Sequence, residues 1–196
     1  MGSHSEWHVP FHQDSLTLQA CLDSLGNVYA ELETPPLMIQ LQETLVTRLS
    51  CFELFQQTVD RHQHDCIHIM LGRGLARIDE AFTIGFTLGS SRKLTTTEQN
   101  LYAQVSRYIY PDTYRFSEEE MMVFKDAIRL AYISACTSLA GFDFTVWLDH
   151  PVARIREAIG LEPELLTAYF AVEKRRFPTN KASARLLPEP QRVIAF

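Results

Sequence analysis

The sequence predicts an all-α fold, a single-domain helical bundle of about eight helices. Three observations predict it. Apolar residues recur at the three- and four-residue steps of a helix through most of the chain. Thr95-x-x-Glu98 and Ser117-x-x-Glu120 have the form of capping boxes, in which side chains at each end satisfy the free amides of a first helical turn. Strand-like alternation is confined to Phe82, Ile84, Phe86 and Leu88, and there Ala81, Phe82, Gly85, Phe86 and Gly89 also share one helical face, so helix is the reading adopted.

Residues 1–13 read as a tag-like, disordered N-terminus, beginning Met1-Gly2-Ser3-His4. Asp14 or Ser15 then caps a helix carrying Leu18, Cys21, Leu22, Leu25, Val28 and Tyr29. Thr34-Pro35-Pro36 resets the chain, since proline suits a helix start and not its interior, and a second helix runs to about Leu49. From Cys51 to Leu71 the apolar rhythm is helical, with an interruption at the polar Asp60 to Asp65; Gly72-Arg73-Gly74 ends it. Leu75 to Gly89 is the next helix. The two capping boxes open helices to about Ile109 and about Leu139, with Gly141 suiting the stop. Asp149 before Pro151 opens a short helix ended by Gly160, and Glu162 to Arg176 forms the last before Pro178. The helical domain is thus expected over 14–176, followed by a basic tail over 177–196.

At 196 residues, with 46% apolar and 21% charged, the composition is that of one soluble globular domain. No apolar run reaches the roughly 18 residues of a membrane span. A net charge of −6 offers no overall attraction to nucleic acid. The charge is uneven, with +5 from Lys174 onward and −11 before it. Cys21, Cys51, Cys66 and Cys136 show no paired spacing, which points to buried free thiols in a reducing compartment. No basic-then-apolar leader is visible, and Glu6 stands where a myristoylation signal needs Ser or Thr, so a cytoplasmic location is expected.

The most informative stretch is His64-Asp65-Cys66-Ile67-His68, followed after eleven residues by Glu80. At about 100° per residue, His64, Asp65 and His68 lie within a sector of roughly 100°, so two imidazoles and a carboxylate face one point. Across the glycine turn, antiparallel helices would bring Glu80 to within about 3 Å of the same level. Two neutral imidazoles and two carboxylates suit one divalent metal, Zn²⁺, Mn²⁺, Fe²⁺ or Co²⁺, better than Ca²⁺. His4, His8 and His12 share a four-residue spacing but are broken by Pro10 and have no carboxylate partner other than Glu6. His62 points about 160° away from His64 and reads as a surface or outer residue.

His-Asp-x-x-His-(x)11-Glu resembles the signature of the COQ4 family of ubiquinone-biosynthesis proteins, matched here by His64, Asp65, His68 and Glu80. Pro151 to Leu161 is similar to that family's C-terminal segment, and the resemblance covers about residues 15 to 176. Cys66 and Ile67 stand where many members carry aromatic residues. The resemblance implies an all-α, often dimeric protein, peripheral on a membrane and handling a prenylated aromatic quinone precursor. It also implies oxidative decarboxylation at ring carbon C1, or a scaffolding role for other quinone-biosynthesis proteins.

A prenyl tail needs an apolar groove beside the metal, for which Phe82, Gly85, Phe86 and Gly89 are the candidates, plain helix packing being the alternative. The basic tail, with Leu186, Leu187, Val193, Ile194 and Phe196, has the chemistry of an anionic membrane contact or of a solvated end. Two functions compete: a metal-dependent enzyme, which leaves a coordination position open, and a lipid-binding scaffold, whose structural metal is closed. A hydrolase using Asp79 as base is a third reading with no motif behind it.

Overall fold

The computed structural model describes residues 7–30, 59–91 and 116–187. These hold seven α-helices and no strand: α1 (Leu18–Ala30), α2 (Arg61–Leu71), α3 (Arg77–Ser90), α4 (Glu118–Ile133), α5 (Val152–Ala158), α6 (Pro163–Arg176) and α7 (Lys181–Arg185). The helices expected around 36–49 and 95–109 lie outside the described residues, as does Cys51. Cys21, Cys66 and Cys136 are buried and form no disulfide among the described residues. No helix among the described residues is long and apolar enough to cross a membrane.

The centre of the fold is the α3–α4 pair. α3 is buried almost all round, as a helix enclosed by its neighbours must be. Gly85 and Gly89, four apart, let α4 approach closely: a Cβ on Gly85 would meet the Phe124 carbonyl and Ala127, and one on Gly89 the Ile128 carbonyl and Ala131. α4 starts with the expected capping box, Ser117 Oγ accepting from the Glu120 amide and Glu120 Oε2 from the Ser117 amide. It stops at Ile133, short of Leu139, because Ser134 turns extended and its hydroxyl bonds back to the Ala131 carbonyl, the local competition by which serine ends helices.

α1 and α5 cap each other. The first amides of α1, Leu18 and Gln19, donate to the carbonyls of His150 and Leu148, and those of Val152 and Ala153 donate to Leu16 and Asp14. Thr17 Oγ1 completes the start by accepting from the Ala20 amide, the role expected of Asp14 or Ser15.

Residues 7–13, read from sequence as a disordered end, pack into the domain instead. Val9 and Phe11 are buried. Phe11 lies against Gly72 and edge-on to Phe170 at 5.8 Å. The C-terminal boundary also moves, since α7 and Leu186 pack on the core, Arg185 pairs with Asp79, Arg176 pairs with Asp126, and Lys174 donates to the Leu187 carbonyl. Residues 177–187 therefore belong to the domain.

Candidate metal centre

The polar run Asp60 to Asp65, expected to interrupt a helix, begins one. Asp60 is the N-cap of α2, accepting from the Gln63 amide at 2.7 Å. Gln63 anchors the same end by donating to the Leu139 and Phe142 carbonyls. At the other end Gly72 adopts φ 65°, a left-handed conformation that costs glycine little. The Arg73 amide then reaches back to the His68 carbonyl at 2.9 Å.

Arg156, 3% exposed, completes this end. Its Nε and Nη2 donate to the Met70 and Ile69 carbonyls of α2, and Nη1 to the Phe11 carbonyl. A cation at the last carbonyls of a helix satisfies orphan acceptors and faces the negative end of the helix dipole. The histidine-bearing helix is thus fixed at both ends by named contacts.

α2 and α3 form the hairpin that the glycine turn predicts, and it brings His64, His68 and Glu80 together. His64 Nε2 lies 3.0 Å from Glu80 Oε2 and 2.9 Å from His68 Nε2, while His68 Nε2 lies 3.5 Å from Glu80 Oε2. All three residues are buried. Protons do not satisfy this triangle. Each imidazole nitrogen has one in-plane direction, filled by a hydrogen or by a lone pair. Two protonated Nε2 atoms would set N–H against N–H, and a single proton shared from one would leave lone pairs opposed along another edge. A cation between the three atoms reconciles them, and tetrahedral ligand atoms at about 2.0–2.1 Å from zinc stand roughly 3.3–3.4 Å apart. The His64–His68–Glu80 group can therefore hold one metal ion.

Asp65, the fourth ligand expected from sequence, is not part of this group. Its Oδ1 accepts from the Tyr29 hydroxyl at 2.7 Å and its Oδ2 lies 4.0 Å from Arg61 Nε. Thr83, which sequence reasoning passed over, places its hydroxyl 3.3 Å from His68 Nδ1. That is where an outer partner fixes the tautomer of a ligating imidazole, and its position three residues beyond Glu80 on the same helical face was the available signal. His64 Nδ1 is buried without a partner among the described residues. His62 is exposed and Asp79 is held by Arg73 and Arg185, so neither takes part in the group.

The proposed tail groove is filled. Gly85 and Gly89 face α4. Phe82 and Phe86 are fully buried, and Phe82 packs against Phe86, Tyr169 and Phe170 at centroid distances of 5.8, 5.3 and 5.8 Å. These four positions serve the core.

Burial opposes charge on Glu80, yet His68 and His64 hold its carboxyl well below the usual carboxylate range. Burial likewise pushes the His68 imidazole down, and the adjacent Glu80 reverses this to a net upward shift. Burial raises Asp65, against the Tyr29 hydrogen bond. The lowered Glu80 value contributes stability above its ordinary 4.5 and loses it as pH falls through the folded value. The raised His68 value contributes below its ordinary 6.5 and loses it as pH rises through the folded value. The metal-free pair therefore helps most between those two ordinary values, whereas a metal needs unprotonated imidazoles and helps most above them. Thermal melts with and without zinc should show a larger metal-induced rise in Tm at about pH 7.5 than at about pH 5.5. An equal or smaller rise would contradict imidazole ligation.

Comparison of this chain with protein-family models, with curated proteins and with solved structures finds no match.

Proposed function

We propose that this protein is a COQ4-like metal-dependent protein of quinone biosynthesis, acting on a prenylated 4-hydroxybenzoate-type precursor by oxidative decarboxylation and hydroxylation at C1. The observation that carries this reading is the buried convergence of His64 Nε2, His68 Nε2 and Glu80 Oε2, a two-histidine, one-carboxylate set. Such a set would leave further coordination positions for a substrate oxygen on zinc or iron, and for dioxygen on iron. His64, His68 and Glu80 would hold the metal, with Thr83 orienting His68. The bound metal would supply Lewis acidity and a template for the ring carboxylate. The dry surroundings would exclude bulk water from the reacting carbon.

The balanced reaction consumes the aromatic acid, one dioxygen, two electrons from an external donor and two protons, and yields the phenol, carbon dioxide and water. The proposed setting is peripheral on a membrane, as a homodimer among other quinone-biosynthesis proteins. A second reading, a lipid-binding scaffold whose metal only pins α2 to α3, is favoured by the near-complete burial of all three ligands. The test is elemental analysis of anaerobically purified protein, followed by turnover of prenylated 4-hydroxybenzoate with a reductant and dioxygen. Metal-dependent release of carbon dioxide is the expected result. Bound metal with no turnover selects the scaffold, and absence of any metal overturns both readings.

A further inference from the structure

Asp65 is the one other acid on the ligating turns that no buried arginine has already taken. Asp79, beside Glu80, has its Oδ2 2.6 Å from Arg185 and its Oδ1 3.6 Å from Arg73. The side chain of Asp65 is instead 13% exposed, beside His64, and bound to the end of α1. There the Tyr29 hydroxyl donates to Oδ1 at 2.7 Å. Arg61 closes the arrangement, its Nε 4.0 Å from Asp65 Oδ2 and its guanidinium 4.5 Å above the Tyr29 ring. A phenol donating to an ionised carboxylate is one of the stronger single hydrogen bonds available to a side chain. Gln19, Asp23 and Tyr29 of α1 face His62 and Asp65 of α2 across a cleft of about 540 Å³.

These contacts bear on how many ligands the metal receives from the chain. With Asp65 bound, the set becomes two imidazoles and two carboxylates, a closed tetrahedral site of the structural kind. With Asp65 held away, three ligands remain and one position is open. The contact that holds the Asp65 carboxylate at α1 is the Tyr29 hydroxyl.

We propose that Tyr29 is a positioning residue that holds Asp65 off the metal, keeping one coordination position free for an external carboxylate or water oxygen. The proposal rests on the metal reading above. It assigns Tyr29 no contact with the reacting atoms, and it makes Asp65 a partner of α1 and not a ligand.

Cobalt(II) tests this in the full chain, because its visible absorption reports coordination number and ligand exchange. The wild-type cobalt protein should change spectrum when titrated with 4-hydroxybenzoate, a soluble aromatic carboxylate. Asp65→Asn should leave cobalt affinity and spectrum unchanged. Tyr29→Phe should bind cobalt more tightly than wild type, with a spectrum that no longer responds to 4-hydroxybenzoate, and Tyr29→Phe combined with Asp65→Asn should restore the response. An Asp65→Asn protein with weakened cobalt binding or an altered spectrum overturns the proposal, even where Tyr29→Phe fails to fold. So does a Tyr29→Phe protein that matches wild type in affinity and response. A wild-type chain that takes up no cobalt removes the metal reading itself and this proposal with it, an outcome separable from the other two.

Discussion

Replacing either metal-facing imidazole, by His64→Ala or His68→Ala, is expected to lower retained metal by more than about 100-fold, since loss of an outer partner alone costs 10–100-fold. The reason is geometric. His64 Nε2 and His68 Nε2 stand 2.9 Å apart on adjacent turns of α2, and Glu80 reaches both from α3. No other carboxylate, imidazole or thiol among the described residues joins the group, so no substitute enters the vacated position without rearrangement. The two variants should also differ in a second respect. His68 is fully buried and linked to Thr83, whereas His64 has a buried Nδ1 with no partner among the described residues. Losing either opens a buried cavity and removes a Glu80 contact, but losing His68 also strands the Thr83 hydroxyl, whereas losing His64 takes an unsatisfied atom with it. Equilibrium dialysis followed by elemental analysis measures the first effect, and metal-free urea unfolding measures the second, with His68→Ala the less stable. Equal metal content in wild type and both variants would remove the site altogether.

Glu173→Ala is expected to cost about 3–5 kcal/mol of stability, the usual consequence of leaving one member of a buried ion pair alone. Arg73 is fully buried and donates to both Glu173 oxygens, at 2.9 and 2.6 Å. Its guanidinium is sandwiched 3.8 Å from the Phe82 ring centroid and 4.6 Å from that of Phe170, so water has no access to replace the lost carboxylate. Asp79 is the one other acid paired with it among the described residues, and that carboxylate is shared with Arg185. Ser183 of α7 donates to Glu173 as well, at 2.9 Å, which ties the C-terminal helix into the same loss. At about 2–4 °C per kcal/mol for a chain of this size, the melting temperature should fall by roughly 6–20 °C. Arg73→Met together with Glu173→Leu should recover most of it, because the pair is costly to break and cheap to replace. A loss below about 1 kcal/mol for Glu173→Ala would place the pair among surface ion pairs in effect, against its burial.

What the sequence made legible follows the range of the forces involved. The Ser117–Glu120 box, the Gly72 stop and the helical reading of Leu75 to Gly89 rest on contacts within a few residues, and the structure has each of them. The hairpin was legible too, since two helical segments joined by a short glycine turn must pack side by side. Asp65 was not. A helical wheel fixes the direction of Cβ and leaves χ1 free, and Tyr29, thirty-six residues away, takes the carboxylate. Val9 and Phe11 escaped notice for a related reason. Two apolar residues in a short aperiodic segment carry no pattern, and the surfaces that bury Phe11, at Gly72, Arg156 and Phe170, come from elsewhere in the chain. At Gly85 and Gly89 the small-residue spacing was read correctly as close approach, but spacing alone does not say whether a tail or a helix approaches. Asp60 to Asp65 looked like a break because a helix's first turn is often polar, as its solvent-facing start at Arg61 and His62 is here.

The fixed ends of α2 bear on the entropy of metal capture. With Asp60 and Gln63 holding one end and Gly72 and Arg156 the other, the backbone that carries both imidazoles is ordered before any ion arrives. Ordering a mobile side chain at a binding site costs about 0.5–1.5 kcal/mol, but His64, His68 and Glu80 are already packed in the interior and have little freedom left to lose. In a zinc finger, metal binding must also provide the free energy of folding. Here the folded hairpin already gathers the ligand atoms, so most of the free energy of coordination would appear as affinity.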